Sequence, residues 1–161
     1  MGGVTVRPAE PRDMGRVAAI WNHYIRETDA TFTTVEKDAG ALAEGLPEVP
    51  CFLVAERAGA LTGFALYDRF RKGPGYDRTM ELTLYVAPEA RGSGTGAALM
   101  TALVDHARAA GLLALVAAIT GSNDGSIRFH ERHGFVTEGR LGGVGTKWGR
   151  VHDLVLMVRR P

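Results

Sequence analysis

Between Met80 and Ala110 the hydrophobic period changes across a glycine-rich hinge, and this stretch restricts the fold more than any other. Met80, Leu82, Leu84 and Val86 alternate with Glu81, Thr83 and Tyr85, the two-residue period of a strand. Pro88 ends that strand, Arg91-Gly92-Ser93-Gly94-Thr95-Gly96 follows, and Ala97 to Ala110 then reads as a helix stopped by Gly111. Leu112 to Ile119 form a continuous apolar run, the pattern of a strand buried on both faces. A strand, a loop, a helix and a second strand in this order require a mixed α/β domain with the helix packed on a sheet. Backbone N–H groups at such a helix start are free to bind an anion, and glycines let a phosphate come close. The Walker pattern fails because no Gly-Lys-Ser/Thr ends the loop. The dinucleotide fingerprint fails because, read from Gly94, its third glycine would fall at Leu99.

The rest of the chain supplies the other layers. Val4 to Arg7 reads as a short strand, and Pro11 suits the first turn of a helix along which Met14, Val17, Ala18, Trp21, Tyr24, Ile25 and Thr28 recur at helical spacing. A weaker helix is expected from Asp38 to Leu46, ended by Pro47. Residues 51–57 and 61–68 read as a hairpin joined through Ala58-Gly59-Ala60. After the turn at 121–125 a short helix reaches His133 and stops at Gly134, and closing strands lie near Phe135 to Leu141 and Leu154 to Arg159. No repeat, low-complexity tract or linker interrupts the sequence, so residues 1–161 read as a single domain.

Composition narrows the function classes. Nineteen basic residues stand against eighteen acidic ones, so no global field draws the chain to nucleic acid or a membrane, and any anion recognition must be local. The single cysteine, Cys51, excludes an internal disulfide and reads as a buried thiol at the head of the run CFLVA. His130 and His133 are two of the ligands a zinc site would need, and no third is evident, so no metal is expected. The N-terminal segment has neither a signal-peptide core nor a myristoylation pattern, and no apolar stretch approaches the roughly 20 residues of a membrane span. A cytoplasmic location is the default expectation.

Arg91-Gly92-Ser93-Gly94-Thr95-Gly96 fits R/Q-x-x-G-x-G/A and resembles the acetyl-CoA pyrophosphate loop of the GNAT N-acetyltransferases. The strand and Pro88 before it, the helix after it and the later NDGSIRFHERHGF stretch are similar to that superfamily in the same order. Within it, Asn22-His23-Tyr24-Ile25, FRKGPGYDRTMELTLYV and VGTKWGR with Asp153 resemble the phosphinothricin and methionine sulfoximine acetyltransferases. Two positions depart from that closer pattern: Gly73 stands where a second arginine is usual, and Met80 where valine is commoner. The resemblance implies the GNAT fold, a mixed and mostly antiparallel twisted sheet with helices on both faces that splays near the end of the Met80 to Ala87 strand. It also implies acetyl-CoA as cosubstrate, a small amino-acid-like amine as acceptor, and a homodimer.

The same resemblance assigns roles residue by residue. Glu81 takes the place of the catalytic base; read by itself, it is an exposed strand carboxylate. His130 stands where many family members carry a tyrosine that protonates the departing thiolate, and a helix-surface histidine is its plainer reading. Leu84, Tyr85 and Val86 would pair by their main chain with the pantetheine arm, with N–H groups near Leu84 and Tyr85 as oxyanion donors. Arg91, Gly92, Ser93, Gly94, Thr95 and Gly96 would hold the pyrophosphate, and Asn123 would touch the cofactor from the next strand end. Arg71, with Gly75 and Tyr76, is the candidate substrate-binding group, because arginine pairs with carboxylate or phosphinate oxygens. Lys147 and Arg150 fall in what reads as a late loop, as solvated charges. Cys51 lies outside every motif, so direct attack in a ternary complex is expected without an acyl-enzyme. Other readings stay open at this point: a peptide or protein N-terminus, or another small amine, as acceptor; a non-catalytic acyl-CoA-binding module; and a binder of another nucleotide phosphate.

Overall fold

The computed structural model describes residues 2–161. The chain runs β1 (Thr5–Pro8), α1 (Met14–Glu27), α2 (Ala39–Gly45), β2 (Cys51–Arg57), β3 (Ala60–Arg69), β4 (Thr79–Val86), α3 (Thr95–Ala109), β5 (Ala114–Thr120), α4 (Asp124–Arg132), β6 (Val136–Lys147) and β7 (Arg150–Arg159). The strands form one seven-stranded sheet in the order β1-β2-β3-β4-β5-β7-β6. Every neighbouring pair is antiparallel except β4 and β5, which are joined by the helical crossover through α3. This is the mixed, mostly antiparallel sheet expected from the sequence.

Both faces of the central strands are buried, each by its own helices. On one face α3 lays Leu99, Met100 and Leu103 against Ala65, Leu82 and Leu115, and α4 adds Ile127 and Phe129. On the other, α1 packs Met14, Val17 and Ile20 against Phe52, Val54 and Phe64. Successive residues of β2 therefore enter opposite layers, which is why CFLVA is apolar throughout. Burial pushes the Cys51 thiol up to about 12, so it packs as a small hydrophobe and is not a nucleophile at neutral pH.

The parallel pairing of β4 with β5 is short, limited to Thr79↔Ala114, Met80↔Leu115 and Glu81↔Val116. Beyond Glu81 each strand keeps to its other neighbour: β4 stays on β3 as far as Val86, and β5 stays on β7 as far as Thr120. The sheet thus splits from Glu81 onward. The sequence placed the splay near the end of the strand; it begins three residues into it.

Boundaries differ from expectation at α2, at β5 and along the closing β6–β7 pair, whose last strand begins at Arg150 and not near Leu154, each for a local reason. Pro47 does not end α2 outright but sits in a 3-10 turn, Leu46–Glu48, that prolongs it, since proline is tolerated at the start of a turn. β5 starts at Ala114, and Leu113 is exposed. β6 is far longer than the run Phe135 to Leu141, because its glycine-rich second half pairs with β7 across two register shifts down to a turn at Trp148 and Gly149. Lys147 and Arg150 are therefore paired strand ends and not members of a loop.

The N-terminal strand is tied to the entry of α1 by charge. Arg7 donates to both carboxylate oxygens of Asp13, at 2.8 and 2.9 Å, and to Glu56 at 2.7 Å, while Asp13 also accepts the Glu10 amide at 2.7 Å. These donors, Arg7 first, hold the buried Asp13 carboxyl below its ordinary value of 3.8. A depressed carboxylate stabilises the fold above its unfolded value and loses that contribution as pH falls through the folded one. Asp13→Asn is expected to lower the unfolding free energy by about 2 kcal/mol at pH 7, the scale of charged hydrogen bonds. Urea melts at neutral and acid pH check this, because the gap to wild type should begin to narrow below pH 3.8 and go on shrinking as pH falls further.

Candidate functional site

Where β4 leaves β5 the structure opens a cleft of about 700 Å³, lined by Glu81 to Val86 on one side and by Ala117 to Thr120 on the other. The β4 edge facing this gap has no strand partner beyond Glu81. One of its terminal carbonyls is engaged: the Tyr24 hydroxyl donates to Val86 O at 2.5 Å. Tyr24 also stacks on Tyr85 with ring centroids 4.6 Å apart, so α1 braces the free strand from behind.

The glycine-rich turn stands at the end of β4. Gly92 and Gly94 have φ of +77° and +87°, the left-handed region in which an L side chain is strained. Gly94 is the N-cap of α3, and no side chain caps the helix. Among the described residues the amides of Thr95, Gly96 and Ala97 have no acceptor, and the first bond is Ala98 N–H to Gly94 O at 3.0 Å. Thr95 fastens the turn to the sheet: its buried hydroxyl lies 2.8 Å from Ser93 Oγ and 3.1 Å from Thr62 Oγ1. A rigid helix start with free donors and positive dipole opens at the mouth of the cleft. Unpartnered strand edge and uncapped helix start fit a long ligand that has amide groups along its chain and an anionic end.

Two titratable groups face the cleft with opposite shifts. Glu81, the last residue of β4 still paired with β5, lines it, and desolvation raises its carboxyl above the ordinary 4.5. His130 is only 6% exposed, so it is not a surface residue of α4. Its Nδ1 lies 2.7 Å from Ser126 O, and since a carbonyl only accepts, Nδ1 carries the proton. Nε2 is then a buried lone pair with no partner among the described residues. Desolvation lowers the imidazole below 6.5 against the opposing pull of the Ser126 carbonyl, so the resting form is neutral.

The structure brings most of the expected residues together. Glu81, Leu84, Tyr85, Val86, Arg91, Gly96, Asn123 and His130 all line the cleft, while Gly92, Ser93, Gly94 and Thr95 build its adjoining turn. Asn123 also has a structural duty, since its Oδ1 caps α4 by accepting Ser126 N–H at 3.2 Å. Arg71, Gly75 and Tyr76 lie on the exposed turn before β4, outside the lining, with the Arg71 guanidinium 5.9 Å from the Tyr76 ring. Sequence reasoning missed the contribution of Ala30, Thr31 and Phe32, which line the cleft from a stretch without regular structure. Tyr24, legible as a core position of α1 and as part of the Asn22-His23-Tyr24-Ile25 motif but given no site role, is both core and lining. Among the described residues no group of three or more His, Cys, Asp or Glu side chains is placed to hold a metal ion, and no helix is long and apolar enough to cross a membrane.

Comparison with known proteins gives a consistent result. Residues 17–135 match the acetyltransferase (GNAT) family. The chain is 36% identical over 159 residues to an L-amino acid N-acyltransferase of Escherichia coli, covering 96% of this chain and 92% of that protein. It is 35% identical to an L-methionine sulfoximine/L-methionine sulfone acetyltransferase of Pseudomonas paraeruginosa, over 95% of this chain and 92% of the other. A phosphinothricin acetyltransferase of Sinorhizobium meliloti, solved in complex with acetyl-CoA, superposes with a TM-score of 0.92 at 30% identity, covering 98% of this chain and 88% of that one.

The tautomer argued for His130 is directly observable. Nitrogen-detected NMR of imidazole-labelled protein at pH 7 should find the proton on Nδ1 and none on Nε2. The midpoint of its titration should fall below 6.5. A proton on Nε2 at neutral pH would contradict the assignment.

Proposed function

The chain belongs to the GNAT acetyltransferase family, and on that premise we propose that it moves the acetyl group of acetyl-CoA to the α-amino group of a small amino-acid-like acceptor, of the phosphinothricin, methionine sulfoximine or methionine sulfone type, by direct attack in a ternary complex. The observation that carries this reading is the conjunction of an unpaired β4 edge, an uncapped α3 start and Glu81 in one cleft.

Acetyl-CoA, when bound, supplies a thioester as acyl donor. The residues that would hold it are the main chain of Leu84 to Val86, the amides of the Arg91 to Gly96 turn with the start of α3, and Asn123. Amide formation joins nitrogen to the acyl carbon and breaks the carbon–sulfur bond. An acceptor amine of pKa about 8 enters largely as ammonium, so it must first shed a proton. Glu81, its carboxyl raised by desolvation, is the base for that proton, directly or through a water. N–H groups near Leu84 and Tyr85 would face the oxygen as it gains charge. His130 enters with a bare Nε2, so it accepts a proton before it can return one to the departing sulfur. Of the two ammonium protons lost overall, one ends on the thiol and one in solvent.

Recognition of the acceptor's acidic group stays with Arg71, Gly75 and Tyr76 as a proposal. Their turn leads directly into β4, whose third residue is Glu81, and a guanidinium pairs well with carboxylate or phosphinate oxygens. A thiol-release assay with phosphinothricin, methionine sulfoximine, methionine sulfone, plain amino acids and a peptide tests the substrate class. Glu81→Gln is expected to reduce kcat/KM on the first three by about 10²- to 10⁴-fold while acetyl-CoA affinity stays within about twofold. Turnover confined to the peptide would overturn the acceptor assignment.

The homodimer is a proposal of the same kind, supported by exposed apolar side chains gathered on the β6–β7 hairpin. Val144, Trp148 and Val151 are each more than half exposed there, with Trp148 at 58%. Residues of this size rarely cluster on a surface that stays in water. Light scattering should give twice the chain mass for wild type and the single mass for Trp148→Glu. A monomeric wild type would sink the idea.

A further inference from the structure

Lys147 is the most deeply buried cation of the chain, with 3% of its surface exposed, although the sequence placed it among solvated charges. No carboxylate bonds it. Its ammonium donates to Ile25 O at 2.7 Å, Thr28 O at 2.6 Å and Thr31 O at 2.8 Å, so three protons meet three carbonyls. The first two acceptors lie at the C-terminal end of α1, where carbonyls lack helical partners and the dipole is negative. A buried ammonium is tolerated only when every proton is bonded, so this cage is a strict constraint on the backbone around it.

The third acceptor reaches beyond the helix into the stretch that lines the cleft. Ala30, Thr31 and Phe32 have no strand or helix to hold them. Their other ties are short-range or single: Ala30 N–H donates to Thr28 Oγ1 at 3.2 Å, the Thr31 side chain meets Tyr85, the Phe32 ring stacks on His152 at 5.3 Å, and next to them Thr120 Oγ1 donates to Asp29 O at 2.6 Å. Phe32 also packs against Gly145, where an added Cβ would collide with the ring. Lys147, Gly145 and His152 all belong to the β6–β7 hairpin. One hairpin thus both cages the backbone of this wall and seats its aromatic ring. The wall lines the same cleft but lies outside β4, the glycine-rich turn, α3 and α4, the elements that would hold the cofactor.

We propose that Lys147 is a positioning residue for the acceptor: by gripping the carbonyls of Ile25, Thr28 and Thr31 it fixes Ala30 to Phe32 as the acceptor wall of the cleft. The proposal rests on the acyl-transfer reading above. Lys147→Met keeps the stem and removes all three donors. With the full chain and whichever acceptor wild type turns over, the acceptor KM should rise about tenfold or more. The acetyl-CoA dissociation constant should stay within about twofold, a split that general loss of folded protein would not produce. Gly145→Ala, which leaves the cage intact and displaces Phe32, should give the same acceptor-selective pattern, and it carries the test if Lys147→Met does not fold. An unchanged acceptor KM in the folded variant, or equal loss for both substrates, overturns the assignment. If wild type acetylates no amine, the acyl-transfer reading falls and this one with it; an active wild type with an unaffected variant overturns this one alone.

Discussion

The loss of pairing between β4 and β5 after Glu81 is the constraint on which the rest of the structure depends. A sheet interior normally leaves no free peptide groups, since unpartnered N–H and C=O groups cost free energy when buried. Here one strand edge is kept open inside the domain, and it is affordable only because β3 and β7 hold the two halves from outside. The open edge faces a cleft large enough for an extended ligand. Everything else in the site is arranged around that gap: a helix start at its mouth, a carboxylate at its apex and a histidine on its wall.

Keeping the gap open takes packing from both layers. Tyr24 reaches from α1 to the last carbonyl of β4 and stacks on Tyr85, while Thr95 ties the α3 start to β3 through Thr62. These contacts come from opposite faces of the sheet, so the β4 edge and the glycine-rich turn are fixed relative to each other. Such pre-organisation matters because a ligand spanning strand edge and helix start then binds without ordering either. Arg91 continues the same line, with its guanidinium 3.3 Å from the Tyr24 hydroxyl.

Electrostatics in the cleft follow from one cause acting on two group types. Desolvation disfavours charge, so it raises Glu81 and lowers His130. Glu81 is thereby moved up toward pH 7, while His130 is moved further below it, so the imidazole rests uncharged as a proton acceptor. The Ser126 carbonyl adds direction: by claiming the Nδ1 proton it leaves Nε2 as the reactive nitrogen. Burial outside the cleft makes the Lys147 cage strict in the same way, since its ammonium must be matched carbonyl by carbonyl.

Local pattern carried a large part of this structure. Strand alternation in β4, the glycines before α3 and the apolar run of β5 were legible because each is a property of a few consecutive residues. Glu81, Arg91, Gly96, Asn123 and His130 were found through a resemblance that fixes their order along the chain, and they do line one cleft. The acceptor wall was not legible. Ala30, Thr31 and Phe32 have no periodic signal, and their place is set by Lys147, Gly145 and His152, more than a hundred positions away. Lys147 could not be told from a surface lysine because its partners are backbone carbonyls, which every residue possesses and no sequence marks. The depth of the splay was hidden for a similar reason, since Leu82 and Leu84 look alike whether or not a strand pairs beside them. The sequence by itself determined the elements, their order and the chemistry of the groups in the cleft. Which carbonyls a buried ammonium grips, and where two strands part, was decided only by the packing of the whole sheet, because those choices depend on partners brought together from opposite ends of the chain.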